Sequence, residues 1–234
     1  MKFAATVILL ALLPLLAAEP VRAVLFPFRE TVISSQLESR LLPYQFRIGQ
    51  HFKKGEVLVQ LDAERFELEH KRAADQYDFC KTTYETRQNQ RQKGFTSDYE
   101  LKKSEFEFKM AQNALNESKL RLKYCSVIAP FDGKIQEITT REYETVRPGQ
   151  PLCRIIDDNH LLAVLNVPQG NKTLTTPGNE VRIKMDSGEI VSGKIYEVAP
   201  QADHRTGTVR IRVLLDNRRW RLAAGSTGEL YHGK

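Results

Sequence analysis

The scarce residues of this chain narrow its chemistry first. Of 234 residues only three are cysteine, three are methionine, the initiator included, and one is tryptophan. No Cys-x-x-Cys or His-x-x-x-His spacing occurs, which removes the common zinc arrangements, and no metal site is expected. The five histidines, His51, His70, His160, His204 and His232, are scattered. Without a Gly-x-Ser-x-Gly elbow, a phosphate loop or a dinucleotide fingerprint, no catalytic residue is assigned and no enzyme is expected. A basic run alternating with aromatics is also missing. The net charge of +6 is therefore read as modest, and nucleic acid is not an expected partner; anionic lipid and acidic protein surfaces stay open.

Cysteine usage is equally lean. Cys80, Cys125 and Cys153 make an odd count, which a disulfide framework does not favour. Cys80 falls midway along one expected helix and Cys125 at the root of the next, about 20 Å apart at ~1.5 Å per residue, too far to bond. Cys125 and Cys153 belong to one expected β unit and are near enough to approach each other, but buried free thiols are the simpler reading.

Only one stretch is long and apolar. Residues 3–18, relieved by Thr6 and Pro14, follow the positive Lys2, and the small residues Ala17, Ala18 and Ala23 come next. Residues 1–23 read as a secretory signal peptide. Cleavage after Ala18 and after Ala23 both fit, with Val21-Arg22-Ala23 the better match at −3 and −1. The competing reading is a retained anchor, for which the run falls short of the roughly 20 residues that span a bilayer. No cysteine lies nearby to take a lipid.

The remainder, in a chain 41% apolar and 27% charged, has a globular composition with room for one to three small domains. Two stretches 94 positions apart read alike: Phe52-x-x-Gly55-x-x-Leu58-x-x-Leu61 and Val146-x-x-Gly149-x-x-Leu152-x-x-Ile155. Around each, apolar and polar residues alternate between glycines, Gly49 and Gly55 in the first, Gly133 and Gly149 in the second, as short strands joined by tight turns require.

Between the halves lies a helical pattern. Asp62 offers an N-cap, and Phe66, His70, Ala73, Tyr77, Cys80, Tyr84, Arg87 and Arg91 follow at steps of four and three, a coiled-coil seam. Gly94 breaks it. Ser97 with Glu100 forms a capping box that restarts a helix, whose seam is Leu101, Ser104, Phe108, Ala111, Leu115, Ser118 and Leu122. The loop is short, so the two helices run antiparallel and project about 40–45 Å. Arg87 and Arg91 at seam positions near the tip have two readings: a solvated, frayed end, or a tip ordered by another protein that offers carboxylates or carbonyls.

After residue 157, Val209, Ile211 and Val213 alternate with Thr208, Arg210 and Arg212, one of several runs separated by glycine turns that suggest a small closed sheet. Six arginines against one acid, Asp216, lie between His204 and Arg221. They are either a solvated face or a basic patch for an acidic protein or anionic headgroups.

The string Ala129-Pro130-Phe131-Asp132-Gly133, the run Val146-Arg147-Pro148-Gly149-Gln150-Pro151-Leu152 and the later Asp203-His204-Arg205-Thr206-Gly207-Thr208-Val209 come in the order found in periplasmic adaptors, also called membrane-fusion proteins. The chain resembles that HlyD-like family, and the RND efflux adaptors within it, from Phe46 to Gly228. The resemblance implies a mixed β and α fold: a split biotinyl/lipoyl-like β-sandwich (residues 46–62 and 126–157), an inserted antiparallel coiled-coil hairpin (63–125) and a small β-barrel (158–234). Residues 24–45 would be an extended segment joining the barrel side. In true lipoyl carriers a modified lysine joins the two halves; here the helices take that place, so no cofactor is expected.

By the same resemblance the hairpin tip, Arg87, Arg91, Gly94, Thr96 and Ser97, would dock on an outer-membrane channel. The family's pattern of arginine, leucine four on and serine seven further fits only in part, since counting back from Ser97 reaches Gln90 or Arg91 and then Thr86 or Arg87. Gly49, Gly55, Pro130, Asp132, Gly133 and Gly149 would shape the sandwich turns. Asp203, Arg205, Thr206, Gly207, Thr208, Arg210 and Arg212 would form a pump- or membrane-facing part of the barrel. The scarcity of methionine speaks against a methionine-lined copper or silver site. Because the sequence stops soon after the barrel motif, a complete membrane-proximal domain is not expected.

The implied role is that of a non-catalytic subunit in the periplasm, associated with the inner membrane. Its partners would be an inner-membrane pump, RND rather than ABC, an outer-membrane channel and further copies of itself in a ring. An adaptor for an ABC exporter or a type I secretion system, and a soluble lipoyl-like carrier or small-ligand module, are the alternatives.

Overall fold

The computed structural model describes residues 20–231, so most of the expected signal peptide, and His232, lie outside the described residues. In chain order the elements are β1 (Arg22–Ser34), β2 (Ser39–Arg40), β3 (His51–Phe52), β4 (Val57–Gln60), α1 (Glu64–Gln92), α2 (Asp98–Tyr124), β5 (Ser126–Ile128), β6 (Gly133–Ile138), β7 (Thr145–Val146), β8 (Pro151–Pro168), β9 (Glu180–Met185), β10 (Ile190–Val198), β11 (Thr208–Asp216) and β12 (Thr227–Leu230). This is a mixed β and α protein. Its described residues form two compact units, one of residues 26–162 and 216–224, the other of residues 20–25, 163–215 and 225–231.

The first unit is a small sandwich made of two copies of one pattern. The Gly55 amide donates to Ala129 O at 2.9 Å and the Gly149 amide to Ser35 O at 2.7 Å; Gly49 donates to Ile135 O and Tyr143 to Leu41 O, both at 2.8 Å. Corresponding donors, and corresponding acceptors, stand 94 residues apart. Strand pairing obeys the same rule, with His51 opposite Lys134 and Phe52 opposite Gly133 on one side, and Thr145 opposite Arg40 and Val146 opposite Ser39 on the other. The repeat thus reaches back to Ser35, earlier than residue 46 where the sequence pattern first becomes visible. Strands of two residues leave too little alternation to be read.

All eight marker residues of the repeat do the work their spacing implies. Phe52, Leu58, Leu61, Val146, Leu152 and Ile155 are buried in one core with Leu41, Val59, Phe66, Cys125, Ala129, Ile135 and Cys153. Gly55 and Gly149 take φ of 89° and 83°, a left-handed conformation that costs other residues about 1–2 kcal/mol. Gly133 differs from the expectation that it shapes a turn. It opens β6, and a Cβ there would stand 2.2 Å from Ile156 O and 3.2 Å from Phe52 Cζ, so its smallness admits close strand packing.

Neither helix contains glycine or proline, and their abundant Glu, Lys, Arg, Gln and Ala favour helix. α1 has its N-cap at Ala63 rather than Asp62, with no side-chain cap bond. Asp62 Oδ1 instead accepts from the Glu64 amide at 3.2 Å, one position ahead of the cap, while Oδ2 pairs with Arg40 at 3.1 Å. α2 returns along α1 as the other arm of a hairpin. His70 Nδ1 meets Ser118 Oγ at 3.1 Å, and the Phe108 ring lies 5.4 Å from Tyr77 and 5.7 Å from Tyr84. Phe66, Cys80, Ser104, Ala111 and Ser118 are buried along this seam.

In the second unit the neighbouring strands run β1-β12-β9-β10-β11-β8. Burial alternates strictly in β9 and through most of β11, with Val181, Ile183, Met185, Val209, Ile211, Val213 and Leu215 inside. Arg210 and Arg212 fall on the exposed face of that alternation.

Candidate functional site

The hairpin tip is built so that both helix ends are capped within the chain. At the end of α1 the Gly94 amide donates to Arg91 O at 3.0 Å and the Phe95 amide to Gln90 O at 2.9 Å, with Gly94 at φ 78°. This is a Schellman ending, which requires a left-handed residue and satisfies the last carbonyls of the helix. Two residues later the Ser97–Glu100 capping box opens α2: the Glu100 amide donates to Ser97 Oγ at 3.2 Å, and the Ser97 amide to Glu100 Oε2 at 3.3 Å. Thr96 Oγ1 donates to that same carboxylate oxygen at 2.7 Å. These bonds hold the Glu100 carboxyl below the usual carboxylate range, the Thr96 hydroxyl being the largest cause.

The polar side chains expected to face a partner are therefore turned inward or matched within the chain. Arg91 Nε donates to Asp98 Oδ1 at 2.7 Å, and Arg87 donates to Gln90 Oε1 at 3.2 Å. Thr96 is buried. What the tip presents instead is aromatic: Phe95 is 78% exposed and Tyr99 77%. Sequence reading passed over both, although the Schellman pattern itself fixes where the residue after Gly94 must stand.

In the second unit, Asp203, Arg205, Thr206, Gly207 and Thr208 come together as one turn. Asp203 N donates to Thr208 O at 2.8 Å and Gly207 N to Asp203 O at 2.7 Å, Asp203 Oδ1 accepts from the Arg205 amide at 2.9 Å, and the two threonine hydroxyls are 2.8 Å apart. Gly207 has φ 64°. Arg212 pairs with Glu197 at 2.9 Å, while Arg205 and Arg210 are exposed. In the sandwich, Asp132 Oδ1 accepts from the Lys54 amide at 2.7 Å, tying the two halves together, and Pro130 is an exposed neighbour.

Among the described residues no three His, Cys, Asp or Glu side chains are grouped to hold a metal ion. The three cysteines are buried and unpaired with one another. No described helix is long and apolar enough to cross a membrane.

Residues 29–158 match the family model described as RND MFP, barrel-sandwich hybrid domain, and residues 163–232 match the one described as CusB-like, beta-barrel domain. A relative in Yersinia enterocolitica, named multidrug resistance protein MdtA, is 22% identical over 79% of this chain and 48% of its own. The chain thus spans about half the length of the relatives it matches. A putative efflux transporter from Bacteroides eggerthii superposes with a TM-score of 0.77 at 17% identity, covering 91% of this chain and 67% of that one. A MacA-MexA chimeric protein containing the Pseudomonas aeruginosa MexA α-hairpin also gives 0.77, at 16% identity, covering 90% and 78%. At such identities the structures speak for the fold, and the family model, which spans more than half of the sequence, speaks for descent. The chain belongs to the RND membrane fusion proteins, the periplasmic adaptor family.

Proposed function

We propose that this chain is the periplasmic adaptor of a tripartite efflux assembly, linking an inner-membrane RND-type pump to an outer-membrane channel and catalysing no reaction. The hairpin of residues 63–125 would act as a two-stranded coiled coil set on the sandwich of residues 46–62 and 126–157. The barrel of residues 158–234 would meet the pump through the Arg205, Arg210 and Arg212 side. Copies would stand side by side in a ring, so that cargo passes along the assembly and need not touch a chemical site on this chain. Export by a leader fits this placement. Ala23 is buried in β1 opposite Gly228, so cleavage after Ala18 is the choice that leaves β1 whole.

One observation carries the proposal. A tip whose helix ends are capped, and whose Arg87, Arg91 and Thr96 side chains bond within the chain, still presents Phe95 and Tyr99 to solvent, and rigid aromatic side chains are the usual anchors of protein interfaces. Placing them at the far end of a helical hairpin suits contact with a distant partner.

Photo-crosslinking in cells tests the reading, with the reactive group at Tyr99 in one strain and at Arg210 in another. The expected products are an outer-membrane channel from Tyr99 and an inner-membrane transporter from Arg210. Capture of no membrane protein from either position would overturn the bridging role, and capture of an ABC transporter from Arg210 would replace the RND pump.

A further inference from the structure

The only tryptophan of the chain, Trp220, sits in a segment that the sandwich unit holds. Residues 216–224 belong to the sandwich unit, while their two ends run into β11 and β12. The anchor of the segment is Asn217, which is buried. Its amide nitrogen Nδ2 donates to Asp158 O at 2.8 Å and to Leu222 O at 2.9 Å, its Oδ1 accepts from the Leu222 amide at 3.0 Å, and its backbone N–H donates to Asn159 O at 2.8 Å.

Trp220 completes the attachment in an unusual backbone state, φ 51°, which bulky residues seldom adopt. Its ring lies on the imidazole of His51, with centroids 4.0 Å apart and planes 22° from parallel. Indole Nε1 donates to Asn159 Oδ1 at 3.1 Å. Half of the residue, 52%, remains exposed.

Beneath this stack is an uneven charge arrangement. His51 Nε2 lies 3.1 Å from Asp158 Oδ2 and Lys134 Nζ lies 3.0 Å from the same oxygen. The Asp158 side chain is 7% exposed, and its other oxygen, Oδ1, is buried with no hydrogen-bond partner. Histidine is the side chain whose charge ordinarily changes between pH 5 and 8. A second proton on His51 would put a full positive charge against the carboxylate of β8 and under the face of the indole, and both contacts strengthen for a cation. Lys134 of β6 opposes it. The charges of the segment itself are Asp216, Arg218, Arg219 and Arg221, with Arg218 Nε 3.6 Å from Asp216.

We infer that His51, Asp158 and Trp220 form a proton-responsive clasp that holds residues 216–224 on the sandwich more tightly in acid than at neutral pH. This regulatory property is separate from the bridging role and stands or falls without it.

Because Trp220 is the only tryptophan, its emission in the full chain reports the clasp directly. An imidazolium stacked on an indole quenches it, so emission should fall as one proton is taken up between pH 8 and 5. Access of acrylamide to the ring should fall about two-fold over the same range. In His51→Gln both changes should vanish. Lys134→Met, which removes a like charge, should move the midpoint of the change to higher pH, and Asp158→Asn should move it lower. Circular dichroism verifies that each variant is folded. Should Asp158→Asn fail to fold, Lys134→Met decides alone. Flat emission in the native chain, a change that survives His51→Gln, acrylamide access that rises in acid, or a Lys134→Met midpoint that stays put or moves lower would each overturn the clasp.

Discussion

Gly49 and Tyr143 occupy corresponding turns in the two halves of the sandwich, and both hold a left-handed backbone, at φ 85° and 65°. Each amide donates 2.8 Å into the other half, to Ile135 O and Leu41 O. One turn is thus built twice, once with the residue that suits it and once with a tyrosine whose ring is exposed. The internal control gives a direct expectation. Replacing Tyr143 by glycine relieves backbone strain and removes little packing, so stability should rise by roughly 0.5–1 kcal/mol once the added freedom of the unfolded chain is counted. Gly49→Ala should lower it by about 1 kcal/mol. Urea unfolding of both variants measures the pair, and equal effects of the same sign would contradict the correspondence.

Gly133 and Ser39 are also counterparts, and here the difference lies in space rather than in φ. A Cβ on Gly133 would collide with Ile156 O, a backbone atom in the adjoining strand that cannot swing aside. Ser39 carries its side chain freely and donates from Oγ to Asp62 O at 2.8 Å. Gly133→Ala should therefore cost about 2–3 kcal/mol, against about 1 kcal/mol for Ser39→Ala, which loses a hydrogen bond. Denaturant midpoints would show this ordering, and its reversal would mean that the strands at Gly133 yield more readily than their packing implies.

The uneven clarity of the sequence follows from the range of the forces involved. The Ser97–Glu100 box and the Gly94 break are local, decided within four residues, and both are realised. Apolar periodicity over many turns made the helical pair visible. The 94-residue echo was visible at Phe52, Leu58, Val146 and Leu152 because these four must be apolar to fill one core. Tyr143 gave no such sign, since nothing in its side chain announces a left-handed turn. Ser39 and Arg40 pair with residues more than 100 positions away through backbone groups alone. Phe95 carries no local mark of exposure, and its outward direction follows only once Gly94 has fixed the path of the chain. His51 and Trp220 meet across a still longer separation, through side chains that no local rule brings together.

The tip depends on its cap. Removing the Ser97 hydroxyl leaves the Glu100 amide without its side-chain partner, while the Glu100 carboxylate keeps its bonds from Ser97 N and the Thr96 hydroxyl. Ser97→Ala should cost about 1 kcal/mol, felt chiefly in the last turns of the hairpin. Faster amide hydrogen exchange at residues 98–101, with exchange at the sandwich core unchanged, is the expected pattern; unaltered exchange at these amides would mean that the Schellman ending of α1 alone orders the tip.

Two of the thiols should be slow to react. Burial pushes Cys153 up to about 11, and burial followed by the nearby Glu67 and Asp62 carboxylates pushes Cys125 up to about 11 as well. Since the thiolate is the reactive form, alkylation of either at pH 8 should run roughly two orders of magnitude slower than that of an ordinary cysteine. Mass mapping after a short exposure to iodoacetamide should find both unmodified in the folded chain and modified in urea. Prompt labelling in the folded chain would show that the core around them opens.

Asp157 should make the protein more stable in mild acid than its other carboxylates would suggest. Its residue is buried in β8, and that burial raises the carboxyl above its ordinary value, with His160, the Asn159 amide and Arg29 pulling the other way. The amide bond to Oδ1 is 3.2 Å and the imidazole nitrogen is 3.9 Å away. A carboxyl raised in the folded state holds its proton more readily there than in the unfolded chain. The stabilisation it gives is complete below the unfolded value of about 3.9 and is lost as the pH rises through the folded value. At pH 7 the charge is therefore a burden on the fold. Asp157→Asn keeps an oxygen for the Asn159 amide and removes that charge, so its Tm should exceed that of the native chain at pH 7, with the gap narrowing on acidification and closing near pH 4. A variant less stable than the native chain at pH 7 would show that attraction to His160 and Arg29 outweighs the cost of burial, reversing the order of the two effects.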